Sequence, residues 1–261
     1  MATRNGSFFI VLINSSHKFR IISLVPSQTE LLVDLGLENA IVGVTKFCVH
    51  PKNIRKSKMV VGGTKTIHLD KIKALNPTFI LCNKEENTKE IVEACEKITQ
   101  THTSEIYTIN DTLELIKIYG GFFSKEKEAQ NLILKLNTII EDFYQFIKNK
   151  PTLKVVYFIW KNPWMIAANN TFINYLLTLS KFENVYKNLS RYPEITIENL
   201  KQSDFILLSS EPYPFKENHI TEIRQYAKNA KIILVDGEYF SWYGSRLLKA
   251  FGYFKKLRES I

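Results

Sequence analysis

"RIISLVPSQTELLVDLG", residues 20–36, is the stretch on which the fold class turns. Arg20–Pro26 is short, rich in branched apolar residues and closed by proline, the pattern of a buried strand. Ser27 and Glu30 have the S-x-x-E spacing of a capping box, and Gly36 supplies a helix stop. A strand feeding directly into a helix is the opening of an α/β unit. "AIVGVT", residues 40–45, is the next strand, and it runs into "KFCVHP".

The same grammar continues outward. Leu69, Ile72 and Leu75 have helical spacing, Asn76-Pro77 stops that helix, and "TFILCN" is a strand. "TKEIVEACEKI" reads as a helix and "EIYTI" as a strand. Residues 122–150 contain no Gly or Pro. Leu132, Leu136, Ile139, Ile140, Phe143 and Ile147 follow a helical period behind Ser124 as N-cap, which predicts one long amphipathic helix. After Pro151 the alternation restarts with "LKVVYFIW", a strand, and "NNTFINYLLTLS", a helix. "TIENLKQSDFILLSSEPY" repeats the helix, break and Phe-Ile-Leu strand of "HLDKIKALNPTFILCNKEEN". The expectation is two α/β lobes, 20–121 and 151–261, joined by a long helix over 122–150.

Bulk properties narrow the function. The net charge of +9 is spread along the chain and suits anionic ligands or partners. No arginine-rich run or nucleic-acid motif accompanies it, so nucleic acid is not an expected partner. Three cysteines, Cys48, Cys82 and Cys95, are too few and odd in number for a disulfide framework. No run approaches a membrane span. The apolar run Phe8–Ile13 follows one arginine, with no clear cleavage site or early cysteine behind it. It reads as an extra strand or leader rather than a signal peptide.

Open parallel sheets bind ligands outside the carboxyl ends of their strands. In the first lobe those positions hold Ser27, Gln28, Lys46, Phe47, His50, Gly63, Thr64 and Asn83. In the second they hold Trp160, Trp164, Tyr192, Glu211, Trp242, Tyr243 and Arg246. These fifteen are the candidate ligand-binding residues. All three tryptophans are among them, which suits a large, flat, partly apolar ligand. Core or lobe-interface packing is the plainer role for an isolated tryptophan. No nucleophile elbow, Walker loop or dinucleotide fingerprint is present. Glu85 and Glu86 sit where a helix begins, a place that favours glutamate. Cys48 and His50 offer at most two zinc ligands, and Cys48 reads as packing. No catalytic residue is expected.

"RIISLVPSQTELLVDLGLENAIVGVTKFCVHP", "VGGTKTIHLDKIKALNPTFILCNKEEN" and the mid-chain helix resemble the helical-backbone metal-receptor superfamily. These are the cobalamin-, haem- and ferric-siderophore-binding proteins of ABC importers, and the vitamin B12-binding type is the nearest likeness. The resemblance covers roughly residues 20–258. It implies Rossmann-like lobes with parallel-rich sheets and one long joining helix, the class III periplasmic-binding-protein clamshell. The ligand, a corrinoid or an iron chelate, lies between the lobes, with no catalytic cofactor.

The resemblance also implies an ABC permease and ATPase as partners, a monomer, and a place in the periplasm or cell envelope; the missing signal keeps a cytoplasmic site open. B12 binders carry an aromatic where this chain has His50 and a tryptophan where it has Asn83. His50 is then a candidate axial ligand to a chelated metal. Glu90 or Glu86 is the candidate permease-docking residue. Two other readings remain: a metal chelatase or tetrapyrrole-modifying enzyme using His50 with Glu85 or Glu211, and a cytosolic chelate sensor or carrier.

Overall fold

Residues 19–261 are described by the computed structural model; the leader expectation at Phe8–Ile13 lies outside them. The first sheet is all parallel, in the order β3-β2-β1-β4-β5. Its strands are β1 (Ile21–Ser23), β2 (Ile41–Val44), β3 (Met59–Val60), β4 (Phe79–Asn83) and β5 (Thr101–Ser104). The second holds β6 (Leu153–Trp160), β7 (Met165–Ile166), β8 (Phe182–Asn184), β9 (Phe205–Ser209) and β10 (Lys231–Val235). β1 lies between β2 and β4 with β5 beyond β4; β6 lies between β8 and β9 with β10 beyond β9. The two Phe-Ile-Leu strands, β4 and β9, therefore occupy equivalent places. β7 is the exception, pairing antiparallel with the end of β6.

Strand side chains alternate between two apolar layers, as a period of two requires. Phe79 and Leu81 of β4, with Val155 and Tyr157 of β6, enter one cluster that runs beneath both lobes. Ile80 and Cys82 face a separate cluster outside the first sheet. Val156 and Phe158 do the same outside the second. A core shared by both lobes restrains their relative motion.

The helices are α1 (Pro26–Asp34), α2 (Ile54–Ser57), α3 (Leu69–Ala74), α4 (Lys89–Glu96) and α5 (Ile109–Phe122) in the first part of the chain. They continue with α6 (Glu126–Ile147), α7 (Phe172–Leu179), α8 (Glu217–Arg224), α9 (Gly237–Ser241) and α10 (Leu247–Glu259). α6 is the long joining helix, 22 residues, with its apolar stripe buried.

Four local expectations change. Pro26 occupies the first turn of α1, so Val25 is the N-cap and Ser27 and Glu30 form no capping box. "EIYTI" is not a strand: Thr108 accepts from the Asp111 N–H and Asp111 from the Thr108 N–H, and this box starts α5. The mid-chain helix begins later than expected, because Ser124 adopts φ +54° and turns the chain between α5 and α6. "TIENL" forms only a 3-10 turn, Ile197–Asn199. The C-terminal segment also crosses the lobe boundary. The turn Gly244–Arg246 packs on α1. α10 packs along α6, with the Phe143 and Phe251 rings 5.2 Å apart.

Candidate functional site: the cleft between the lobes

The first wall is built from the loops after β2, β3 and β4. The Cys48 thiol is fully buried between the Thr29 and Thr45 hydroxyls, 3.1 and 3.3 Å away, and burial pushes its pKa up. It is packing, and it anchors a loop that leaves Lys46 and Phe47 exposed and His50 half-buried. The loop is tied to its neighbour by Lys46 N–H donating to Gly62 at 2.7 Å. Gly62 has φ +133°, and a Cβ there would lie 2.4 Å from the Thr66 carbonyl oxygen, so only glycine fits. Gly63 and Thr64 follow, both buried.

Asn83 is 2% exposed, its side chain engaged in the turn that follows β4. Its Oδ1 accepts from the backbone of Glu85 and Glu86, and its amide donates to Ser104. Asn87 ties the same turn to Thr64. Two buried asparagines thus fix where the two glutamates project.

The second wall follows β9 and β10. Gly237 brings these loops together, since a Cβ would meet Ser209 Oγ at 2.3 Å and Glu211 Cγ at 2.7 Å. Asp236 caps α9 by accepting from the Glu238 N–H. Ser241 Oγ donates to Glu211 at 2.7 Å. Trp160 is 39% exposed, edge-on to Tyr213. Trp164 is instead packed in the second lobe, stacked on Phe215 and edge-on to Phe158.

The walls meet through two bridges. Arg191 Nη1 lies 2.5 Å from Glu85 Oε1 and the Tyr192 hydroxyl donates to Oε2 at 2.9 Å. His50 Nε2 lies 2.8 Å from Glu238 Oε2, which also lies 3.2 Å from Arg246 Nη1. Beneath them the lobes are joined by buried polar contacts. Arg246 Nε donates to Glu30 at 2.8 Å. Gln28 donates to the Tyr243 hydroxyl at 2.9 Å and accepts from Tyr119 at 2.8 Å. Gln28, Tyr243 and Arg246 therefore knit the lobes together, with Ser27 buried beside them in α1. Trp242 is buried too, its ring edge-on to His50 and beneath the Arg246 guanidinium.

Glu86 of the first lobe lies near enough to Glu211 of the second for its charge to act on that carboxyl. Burial raises both carboxyl pKa values, Glu211 to about 7. Ser241 and Trp242 oppose the rise at Glu211, and the negative charges of Glu238 and Glu86 add to it. At Glu86, Glu85 adds to the rise while Lys65 and Thr64 oppose it. Burial thus disfavours the charged form of both carboxyls. Among the described residues no three His, Cys, Asp or Glu side chains gather as a site for a bare ion. Of the residues in the enzymatic alternative, His50 pairs with Glu238, Glu85 with Arg191 and Glu211 with Ser241. Glu90 is exposed in the first turn of α4, whereas Glu86 faces inward.

A family model described as periplasmic binding protein matches residues 21–218. The chain belongs to the periplasmic binding protein family. Its two parallel-rich sheets and single long helix are the class III form of that clamshell. An uncharacterised ABC transporter substrate-binding lipoprotein of Bacillus subtilis, YvrC, is 26% identical over 69% of this chain and 59% of its own length. The chain therefore spans little more than half of that relative. A vitamin B12-binding protein of Vibrio vulnificus is 25% identical over 80% of this chain and 77% of its own length. The solved periplasmic heme-binding protein RhuT from Roseiflexus shares the fold at a TM-score of 0.81. It covers 94% of this chain and 99% of its own, with 15% identity.

Sequence reading overlooked Glu30, Glu238 and Arg191 as partners across the cleft. Glu238 and Arg191 lay in loops already marked as strand ends. Nothing local marks Glu30, whose partner is far along the chain.

Proposed function

We propose that this protein is a non-catalytic substrate-binding protein that holds a metal chelate between its lobes and delivers it to an ABC importer. A corrinoid is the chelate that the cleft suits best. The observation that carries the choice is the pair of cleft carboxyls, Glu86 and Glu211, backed by Glu85 and Glu238. A corrinoid periphery carries amide N–H donors, and the ring bears no carboxylates once amidated. Such a rim gives acceptor-rich walls their partners. Haem brings two propionates and a ferric catecholate is a polyanion; each would set negative charge beside carboxyls whose own charged form burial already disfavours. The vitamin B12-binding relative supports the same choice.

The exposed Phe47 and Trp160 would supply apolar contact to a flat ring. Glu90, on the outer rim of the first lobe, is the residue we assign to permease docking. The protein would act as a monomer in the cell envelope, in keeping with the family's role. The test is calorimetric titration with hydroxocobalamin of the wild type and of the Glu86→Gln, Glu211→Gln double variant. Weaker binding by the variant supports the reading; an unchanged dissociation constant contradicts it.

A further inference from the structure

Glu238 is shared between two partners that make different demands on it. One of its oxygens lies 2.8 Å from His50 Nε2 and 3.2 Å from Arg246 Nη1. Arg246 is 4% exposed, and its Nε is held by Glu30. Its last nitrogen, Nη2, is buried with no hydrogen-bond partner among the described residues. A buried donor left unmade carries its full desolvation penalty. Arginine and carboxylate prefer a paired fork of two parallel bonds. Turning Glu238 fully onto Arg246 would make that fork and satisfy Nη2, and it would give up His50.

His50 itself is placed to use that release. Its side chain is 30% exposed, so one side of the ring is open. Trp242 stands edge-on at 5.4 Å and limits how far the ring can turn. Phe47, 48% exposed, lies on the same loop as an apolar surface for a flat ligand.

We propose that His50 ligates the metal of the incoming chelate, and that Glu238 masks it while the cleft is empty. This rests on the reading of the protein as a metal-chelate carrier and narrows its substrate class. The chelate has a metal whose axial position is filled by an exchangeable water. In the empty protein the imidazole Nε2–H donates to Glu238. When the chelate enters, Glu238 moves onto Arg246 and the Nε2 proton passes through water to Nδ1. The Nε2 lone pair then replaces the axial water, which leaves intact. No electron moves, and the metal keeps its coordination number. Arg246 is a positioning residue that receives the carboxylate.

Visible titrations of the full chain with hydroxocobalamin and with cyanocobalamin test this, since cyanide holds its axial position against exchange. The expected result is a shifted cobalt-corrin band with hydroxocobalamin and none with cyanocobalamin. His50→Ala and His50→Gln abolish the shift while both variants still melt cooperatively. Glu238→Gln replaces a carboxylate acceptor with a weaker neutral one and shifts the balance between the two corrinoids, tightening hydroxocobalamin about tenfold relative to its effect on cyanocobalamin. A shift that survives in both His50 variants overturns the proposal, as does binding without any shift. An equal effect of Glu238→Gln on both corrinoids overturns the masking. Failure of hydroxocobalamin, cyanocobalamin and haemin alike to bind overturns the carrier reading and this inference with it.

Discussion

Glu85 and Arg191 close the mouth of the cleft: the guanidinium of one lobe sits 2.5 Å from the carboxylate of the other, and Tyr192 takes the second oxygen. The pair is partly exposed, so its worth in stability is about 1 kcal/mol or less. Because it spans the two lobes, its larger effect should be on their opening. Arg191→Ala should leave the melting temperature within a few degrees of wild type while speeding ligand association several-fold. Stopped-flow mixing reads that rate, and an unchanged rate would show that the bridge does not gate entry.

The deeper bridge behaves differently. Arg246 and Glu30 are both largely buried and 2.8 Å apart. Removing one partner of a buried pair strands the other charge, at about 3–5 kcal/mol. Glu30→Ala should therefore lower stability by about that amount in urea unfolding. Replacing both residues with methionine should recover much of the loss. A Glu30→Ala effect below about 1 kcal/mol would mean that solvent reaches the pair.

His50→Ala should cost little stability, about 1 kcal/mol or less, because Arg246 stands ready to take the Glu238 carboxylate. Urea unfolding of the ligand-free variant checks this. A loss comparable to that of Glu30→Ala would show that His50 is a structural strut.

The cleft should respond to pH through Glu211. Its pKa in the folded chain is about 7, above the ordinary carboxylate value. The folded state therefore binds more protons than the unfolded state between about pH 4.3 and 7. Stability is fullest below the unfolded value and falls as pH rises through about 7. Glu211→Gln should remove that slope and raise stability at pH 8 by about 1–3 kcal/mol. Unfolding series at pH 5 and pH 8 measure both. Equal slopes in wild type and variant would place the titration elsewhere.

Much of the fold was legible because it is written in local periodicity. Branched apolar strands, capped helices and the paired Phe-Ile-Leu strands β4 and β9 all carry signals within a few residues. The misread elements share a cause, which is that two local signals competed. The Ser27-x-x-Glu30 spacing was real, but Pro26 moved the helix start and turned Glu30 toward Arg246. "EIYTI" alternates like a strand, yet Thr108-x-x-Asp111 is itself a capping signal and prevailed.

The site was legible only as a set of strand ends. Their positions follow from α/β topology, but which side chains face the ligand depends on contacts far apart in sequence. Trp242 and Tyr243 sit in a Gly- and Ser-flanked stretch that looks like an exposed loop. They are buried because that stretch docks on α1 of the other lobe. Asn83, a candidate ligand contact by its strand-end position, is buried and holds the Glu85–Glu86 turn.

The most direct test is competition between chelates of opposite charge. Purified protein is titrated by calorimetry with hydroxocobalamin, haemin and a ferric tris-catecholate under one buffer and salt. The predicted result is submicromolar binding of hydroxocobalamin and binding at least about tenfold weaker for the two anionic chelates, the factor that about 1.4 kcal/mol of repulsion supplies. Tighter binding of haemin or the ferric catecholate than of hydroxocobalamin would contradict the acceptor-lined cleft as the determinant of ligand choice.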